Sequence, residues 1–85
     1  MDHMYEVVND MDLALEGVPV NNNNHHVQTG LAILEHQFPS FHYSNENLTL
    51  NDKINEIKKY CYQIGYSSNS EILELVSSKK IGFNK

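Results

Sequence analysis

The sequence predicts a mainly α fold of short helices, with one intervening stretch that reads as loop or short strand. Three observations carry this. Apolar residues recur three and four apart in four separate stretches, the spacing of one helix face. Gly17, Pro39 and Gly65 stand just past three of those stretches, where helices stop. Only residues 40–50 break the helical spacing, and there apolar and polar residues alternate briefly, as in a strand.

The first helix is expected from about His3 to Glu16, with Met4, Val7, Val8, Met11 and Leu15 on one face and Asp10, Asp12 and Glu16 mainly on the other. Met1 to His3 reads as an addition ahead of a start at Met4. Gly17 is a C′ stop, and Pro19 follows it. In the polar run Asn21 to Asn24 a side-chain oxygen can cap the next helix, expected from about Asn24 to Phe38. Its stripe is Val27, Leu31, Leu34 and Phe38. Gly30 weakens it by about 1 kcal/mol relative to Ala and leaves room for another backbone.

Residues 40–47 read as loop or short strand, and Asn47 to Leu50 is likewise open to a short strand, the alternation being too brief to decide. The third helix carries Ile54, Ile57, Cys61 and Ile64 at spacings of three, four and three. Thr49 with Asp52 forms a capping pattern, with Asn51 as a competing N-cap, and Gly65 ends the helix. Ser68 to Glu71 is a second capping pattern, opening a last helix from Asn69 to Lys79. Ile81 to Lys85 reads as a tail.

An 85-residue chain with 40% apolar residues is one domain at most. Residues 1–43 would form an acidic two-helix region and residues 44–85 a second unit packed on it. So small a chain has a marginal core, which favours a homodimer. No apolar run approaches a membrane span, and no signal peptide is evident. With Cys61 as its one cysteine the chain fits a reducing, cytoplasmic compartment. The net charge is −5, unevenly placed: residues 1–50 hold seven acids and no Lys or Arg, and residues 51–85 hold six Lys against four acids.

The stretch from Leu48 to Val76 reads Leu-Thr-Leu, a helix, Gly65-Tyr66-Ser67-Ser68, Ser70-Glu71, then an apolar helix. It resembles the ribbon-helix-helix family of small dimeric DNA-binding regulators. The resemblance implies a strand that pairs with its twin and enters the major groove, followed by two helices joined by a Gly-x-Ser turn. It implies that Asn45, Asn47 and Thr49 read bases. It also implies that Ser68, Asn69 and Ser70, opening the last helix, hold a phosphate through backbone N–H groups. Lys53, Lys58, Lys59, Lys79 and Lys80 would add phosphate contacts.

A second reading needs no nucleic acid: an all-α protein–protein interaction module, acting as adaptor, inhibitor or anti-regulator. Its acidic face would be Asp10, Asp12 and Glu16. The net charge of −5 and the absence of Arg favour it, because repulsion from DNA would have to be overcome locally.

Catalysis is not expected. Cys61 lies on an apolar stripe, where a thiol is inert. No two of the five His stand four apart, so no helical metal site is implied. The four Gly are scattered and form no phosphate loop, and so small a chain offers no pocket for a small-molecule substrate. No metal or cofactor is expected. Tyr60, Tyr62 and Tyr66 could stack on bases beside Lys58 and Lys59, or flank the core. Asn47-Leu48-Thr49 matches a glycosylation acceptor and reads as coincidence without a secretion signal.

Overall fold

The computed structural model describes the backbone of residues 3–83 and the side chains of residues 4–78. The chain is mainly α. Four helices follow one another: α1 (His3–Leu15), α2 (His25–Gln37), α3 (Leu50–Gln63) and α4 (Asn69–Phe83). Among the described residues there is no strand. α1 packs on all three other helices, most extensively on α2 and α4.

Local signals set most boundaries. Gly17 (φ 101°) and Gly65 (φ 121°) adopt the left-handed backbone that glycine takes without strain. Each closes the same motif. Val18 N–H donates to Leu13 O and Gly17 N–H to Ala14 O; Tyr66 N–H donates to Cys61 O and Gly65 N–H to Tyr62 O. These crossed bonds satisfy the last carbonyls of α1 and α3. Asn24 caps α2 by accepting from Val27 N–H at 3.0 Å, and Thr49 caps α3 by accepting from Asp52 N–H at 3.1 Å.

The core runs through all four helices. Val7, Met11 and Leu15 of α1, Val27 and Leu34 of α2, Ile57 and Cys61 of α3, and Ile72 and Val76 of α4 have no exposed surface. A fully buried side chain of this kind contributes about 1.5–3 kcal/mol. Gly30 lies against Met11, where a Cβ would stand 2.3 Å from Met11 Cγ. The glycine therefore admits a side chain, rather than the backbone that the sequence suggested.

Three expectations need correction. Ile64 is the C-cap of α3 (φ −92°, ψ 4°), beyond the last full turn, and is 48% exposed. The stripe is completed instead by Leu50, which is the first residue of α3 and buried. α4 runs to Phe83 rather than stopping at Lys79. The apolar spacing fades after Val76, but no proline or glycine stands directly past Lys79, and the helix continues through Gly82.

The linkers are tied down by asparagines. Asn51 on α3 accepts from Val20 N–H at 3.0 Å and donates to Val20 O at 3.1 Å, as a neighbouring strand would. Asn22 accepts from Leu50 N–H at 2.9 Å, satisfying one of the otherwise open N–H groups of α3. After Phe38 the chain is held by aromatic contacts. Phe38 meets Tyr60 and Tyr66 edge-on at 5.5 and 6.1 Å, and Phe41 meets Tyr43 and Tyr60 at 4.9 and 5.0 Å.

Candidate protein-interaction face

The residues assigned to DNA fall at two places. Asn45, Asn47 and Thr49 lie before α3, in a turn and its helix cap. Asn45 Oδ1 accepts from Asn47 N–H at 2.8 Å, and the Thr49 hydroxyl is engaged as the N-cap. Residues 44–49 thus form a turn leading into a cap in this chain, where the sequence suggested a strand. Ser68, Asn69 and Ser70 lie past the other end of α3, roughly 20 Å away along a helix of this length.

At that second place the structure joins two predicted phosphate ligands for a different purpose. Lys58 Nζ donates to Leu15 O at 2.6 Å, and Asn69 Nδ2 donates to the same oxygen at 3.2 Å. Asn69 Oδ1 in turn accepts from the Tyr62 hydroxyl. Both residues therefore serve the C-terminal end of α1, whose carbonyls lack helical donors and carry the negative end of the helix dipole.

The N-terminus of α4 is also engaged. Glu71 N–H donates to the Ser68 hydroxyl at 3.4 Å. The Glu71 carboxylate accepts from Ser67 N–H at 2.8 Å and from the Ser67 hydroxyl at 3.2 Å. A carboxylate thus already supplies the negative charge that this helix end favours. Ser70 and Lys59 are exposed, and the side chains of Lys79 and Lys80 lie outside the described residues.

Two further carboxylates hold the loop before α3. Glu56 accepts from Ser44 N–H at 2.8 Å and from the Ser44 hydroxyl at 2.5 Å, which hold its carboxyl below the usual range. Glu35 accepts from the Tyr43 hydroxyl at 2.5 Å. Burial, and then this contact with Glu35, push the Tyr43 phenol well above its ordinary value. Lys53 Nζ lies 5.6 Å from the Tyr43 ring centre.

The three acids of α1 part company. Asp10 turns toward α2. Its Oδ2 lies 3.0 Å from His26 Nδ1 and accepts from Asn24 Nδ2 at 3.4 Å. The other ring nitrogen of His26 lies 3.0 Å from Glu6 Oε1. Asp10 therefore helps join α1 to α2 and does not belong to an outward face. Asp12 and Glu16 remain on the side of α1 away from the core, half-buried and exposed respectively.

What the sequence missed is the apolar part of that side. At 100° per residue, Tyr5, Asn9, Asp12, Leu13 and Glu16 fall within an arc of about 100° opposite Val7, Met11 and Ala14. Tyr5 is 74% exposed and Leu13 42%; Val18, brought back beside Leu13 by the bond closing α1, is 45% exposed. The other large exposed apolar residues among the described ones, Tyr62 and Ile64, lie at the C-terminal end of α3. The signal was present: Tyr5 and Leu13 are eight apart, off the core stripe. A shallow open groove runs on either side of the Val18–Pro19 ridge, one bordered by Ala14, Asn51 and Asn55, the other by Leu13 and Asn21.

Burial pushes the Cys61 thiol up to about 11, so it stays protonated and unreactive. No three His, Cys, Asp or Glu side chains among the described residues are placed to hold a metal ion. No helix among them is long and apolar enough to cross a membrane. No family model matches the chain, and no curated protein or solved structure matches it.

Proposed function

We propose that this protein is a protein–protein interaction module that binds its partner through the outer face of α1 and the Val18–Pro19 turn. One observation carries the reading: exposed Tyr5, Leu13 and Val18 share one helix side and its closing turn with half-buried Asp12 and exposed Glu16. Exposed apolar side chains gathered beside charged ones mark protein-binding surfaces, whereas single exposed ones need no explanation. Several of the residues that a DNA-binding reading would use are engaged within the fold, while Asn47, Lys59 and Ser70 are exposed. Thr49 caps α3, Lys58 and Asn69 bond the end of α1, and Glu71 sits at the start of α4. The core closes within one chain, so a second copy is not needed to bury it.

A titration and a cross-linking experiment separate this reading from that of a dimeric DNA-binding regulator. In the first, mixed-sequence duplex DNA is added at low salt while the amide spectrum of the whole chain is followed. The interaction reading expects no saturable shifts at Asn45, Asn47 and Thr49. In the second, a photo-reactive residue replaces Asn9, and in a control Asn47, in cells that make the protein. A discrete cross-linked partner at position 9, lost on Leu13→Ser, supports the reading. Saturable DNA binding centred on residues 45–49 would refute it.

A further inference from the structure

The proposed interaction reading leaves the partner's chemistry open. Resting on that reading, we infer that the α1 face takes a basic polypeptide segment with an apolar centre, and not a second copy of this chain. The charged side chains of the face, Asp12 and Glu16, are both acidic. Lys58, the lysine whose side chain reaches this end of α1, is already bonded to Leu15 O. The grooves beside Val18 and Pro19 are bordered by the amides Asn21 and Asn55, which can bond a partner's backbone without adding positive charge.

A symmetric dimer would bring the same patch against itself, setting Asp12 and Glu16 against their own copies. Like charges across an interface oppose binding and act as discrimination against the wrong partner. A segment carrying Lys or Arg around apolar residues meets both features at once. Its apolar side chains cover Leu13 and Val18, and its cations face Asp12 and Glu16.

The test uses the whole ¹⁵N-labelled chain and two synthetic amphipathic peptides with the same leucine pattern, one filled with Lys and one with Glu. The Leu/Lys peptide is expected to shift amides of residues 5–18. Its binding should weaken about tenfold or more between low and high salt, as exposed charges are screened. Asp12→Asn with Glu16→Gln, and separately Leu13→Ser, should each abolish those shifts. These positions are exposed or half-exposed, and each variant's own amide spectrum reports its fold.

Equal binding of the Leu/Glu peptide at residues 5–18 would overturn the basic partner and leave the interaction face standing. Shifts from the Leu/Lys peptide spread over remote acids such as Glu46 and Glu74, and indifferent to Leu13→Ser, would overturn both. Concentration-dependent self-association through residues 5–18 would overturn the exclusion of a second copy.

Discussion

Lys58 Nζ donates to the carbonyl oxygen of Leu15 at 2.6 Å, joining the middle of α3 to the last turn of α1 across 43 positions of sequence. The acceptor is a carbonyl that α1 cannot satisfy itself, at the negative end of its dipole. A charged donor there contributes more than a neutral one, about 1.5–3 kcal/mol, less where water reaches the pair. Lys58→Met keeps the stem and removes the donor, so it should lower unfolding stability by about 1–2 kcal/mol. Asn69→Ala removes the second donor to the same oxygen. Denaturant midpoints of the two single variants and the double should show non-additive losses, because both donors share one acceptor. Additive losses would mean that the two donors act independently.

The contact of Gly30 with Met11 gives a second prediction. Alanine is the better helix former by about 1 kcal/mol, so propensity alone would make Gly30→Ala stabilising. A Cβ at position 30 would meet Met11 Cγ at 2.3 Å and Sδ at 2.5 Å, and Met11 is fully buried. Overpacking of this kind costs about 1–3 kcal/mol. The thermal midpoint of Gly30→Ala should therefore fall, and the same substitution made in a Met11→Ala background should cost less or become stabilising. A rise in the midpoint of the single variant would show that α1 and α2 are not so closely packed.

Cys61 has no exposed surface, and burial holds its thiol up at about 11. Near neutral pH it should react with a thiol reagent far more slowly in the native chain than in denaturant. Raising denaturant should increase the rate in step with the unfolded fraction. Reaction at the native rate of a free cysteine would place the thiol at the surface and contradict the core described for α3.

Much of the fold was legible because its signals are local. Asn24, Thr49, Gly17 and Gly65 act on backbone groups within a few residues of themselves, and each end of helix they mark is where the sequence put it. The missed features are long-range. Asn51 and Val20 are 31 positions apart, Asn22 and Leu50 28, and Asn69 and Leu15 54. Nothing in the spacing of a lysine or an asparagine says which distant carbonyl it will bond. Lys58 and Asn69 therefore read as surface groups suited to phosphate, though the fold uses them within itself. The acidic side of α1 was half legible. Asp12 and Glu16 stay outward, while Asp10 is drawn to His26 on another helix. Tyr5 and Leu13 lie off the core stripe, and helical spacing alone assigns no role to an apolar residue there.

The Glu56–Ser44 contact sets a pH dependence whose direction follows from the bonds. The Ser44 hydroxyl and N–H donate to the ionised carboxylate, and these bonds lower the folded-state pKa of Glu56. A lowered value means that the unfolded chain binds the proton more readily. The contact therefore adds stability above the unfolded glutamate value of about 4.3, and that contribution fades as pH falls through the lower folded value. Carboxyl chemical shifts followed from neutral to acid pH should show Glu56 titrating below the ordinary glutamate value. The Ser44 amide should move together with Glu56. Ser44→Ala removes the hydroxyl, the first of the two causes, and should raise the Glu56 midpoint while leaving part of the depression from the Ser44 N–H. An unchanged midpoint in that variant would mean that the hydroxyl bond is not kept in solution, and the loop before α3 would then lose one of its two carboxylate tethers.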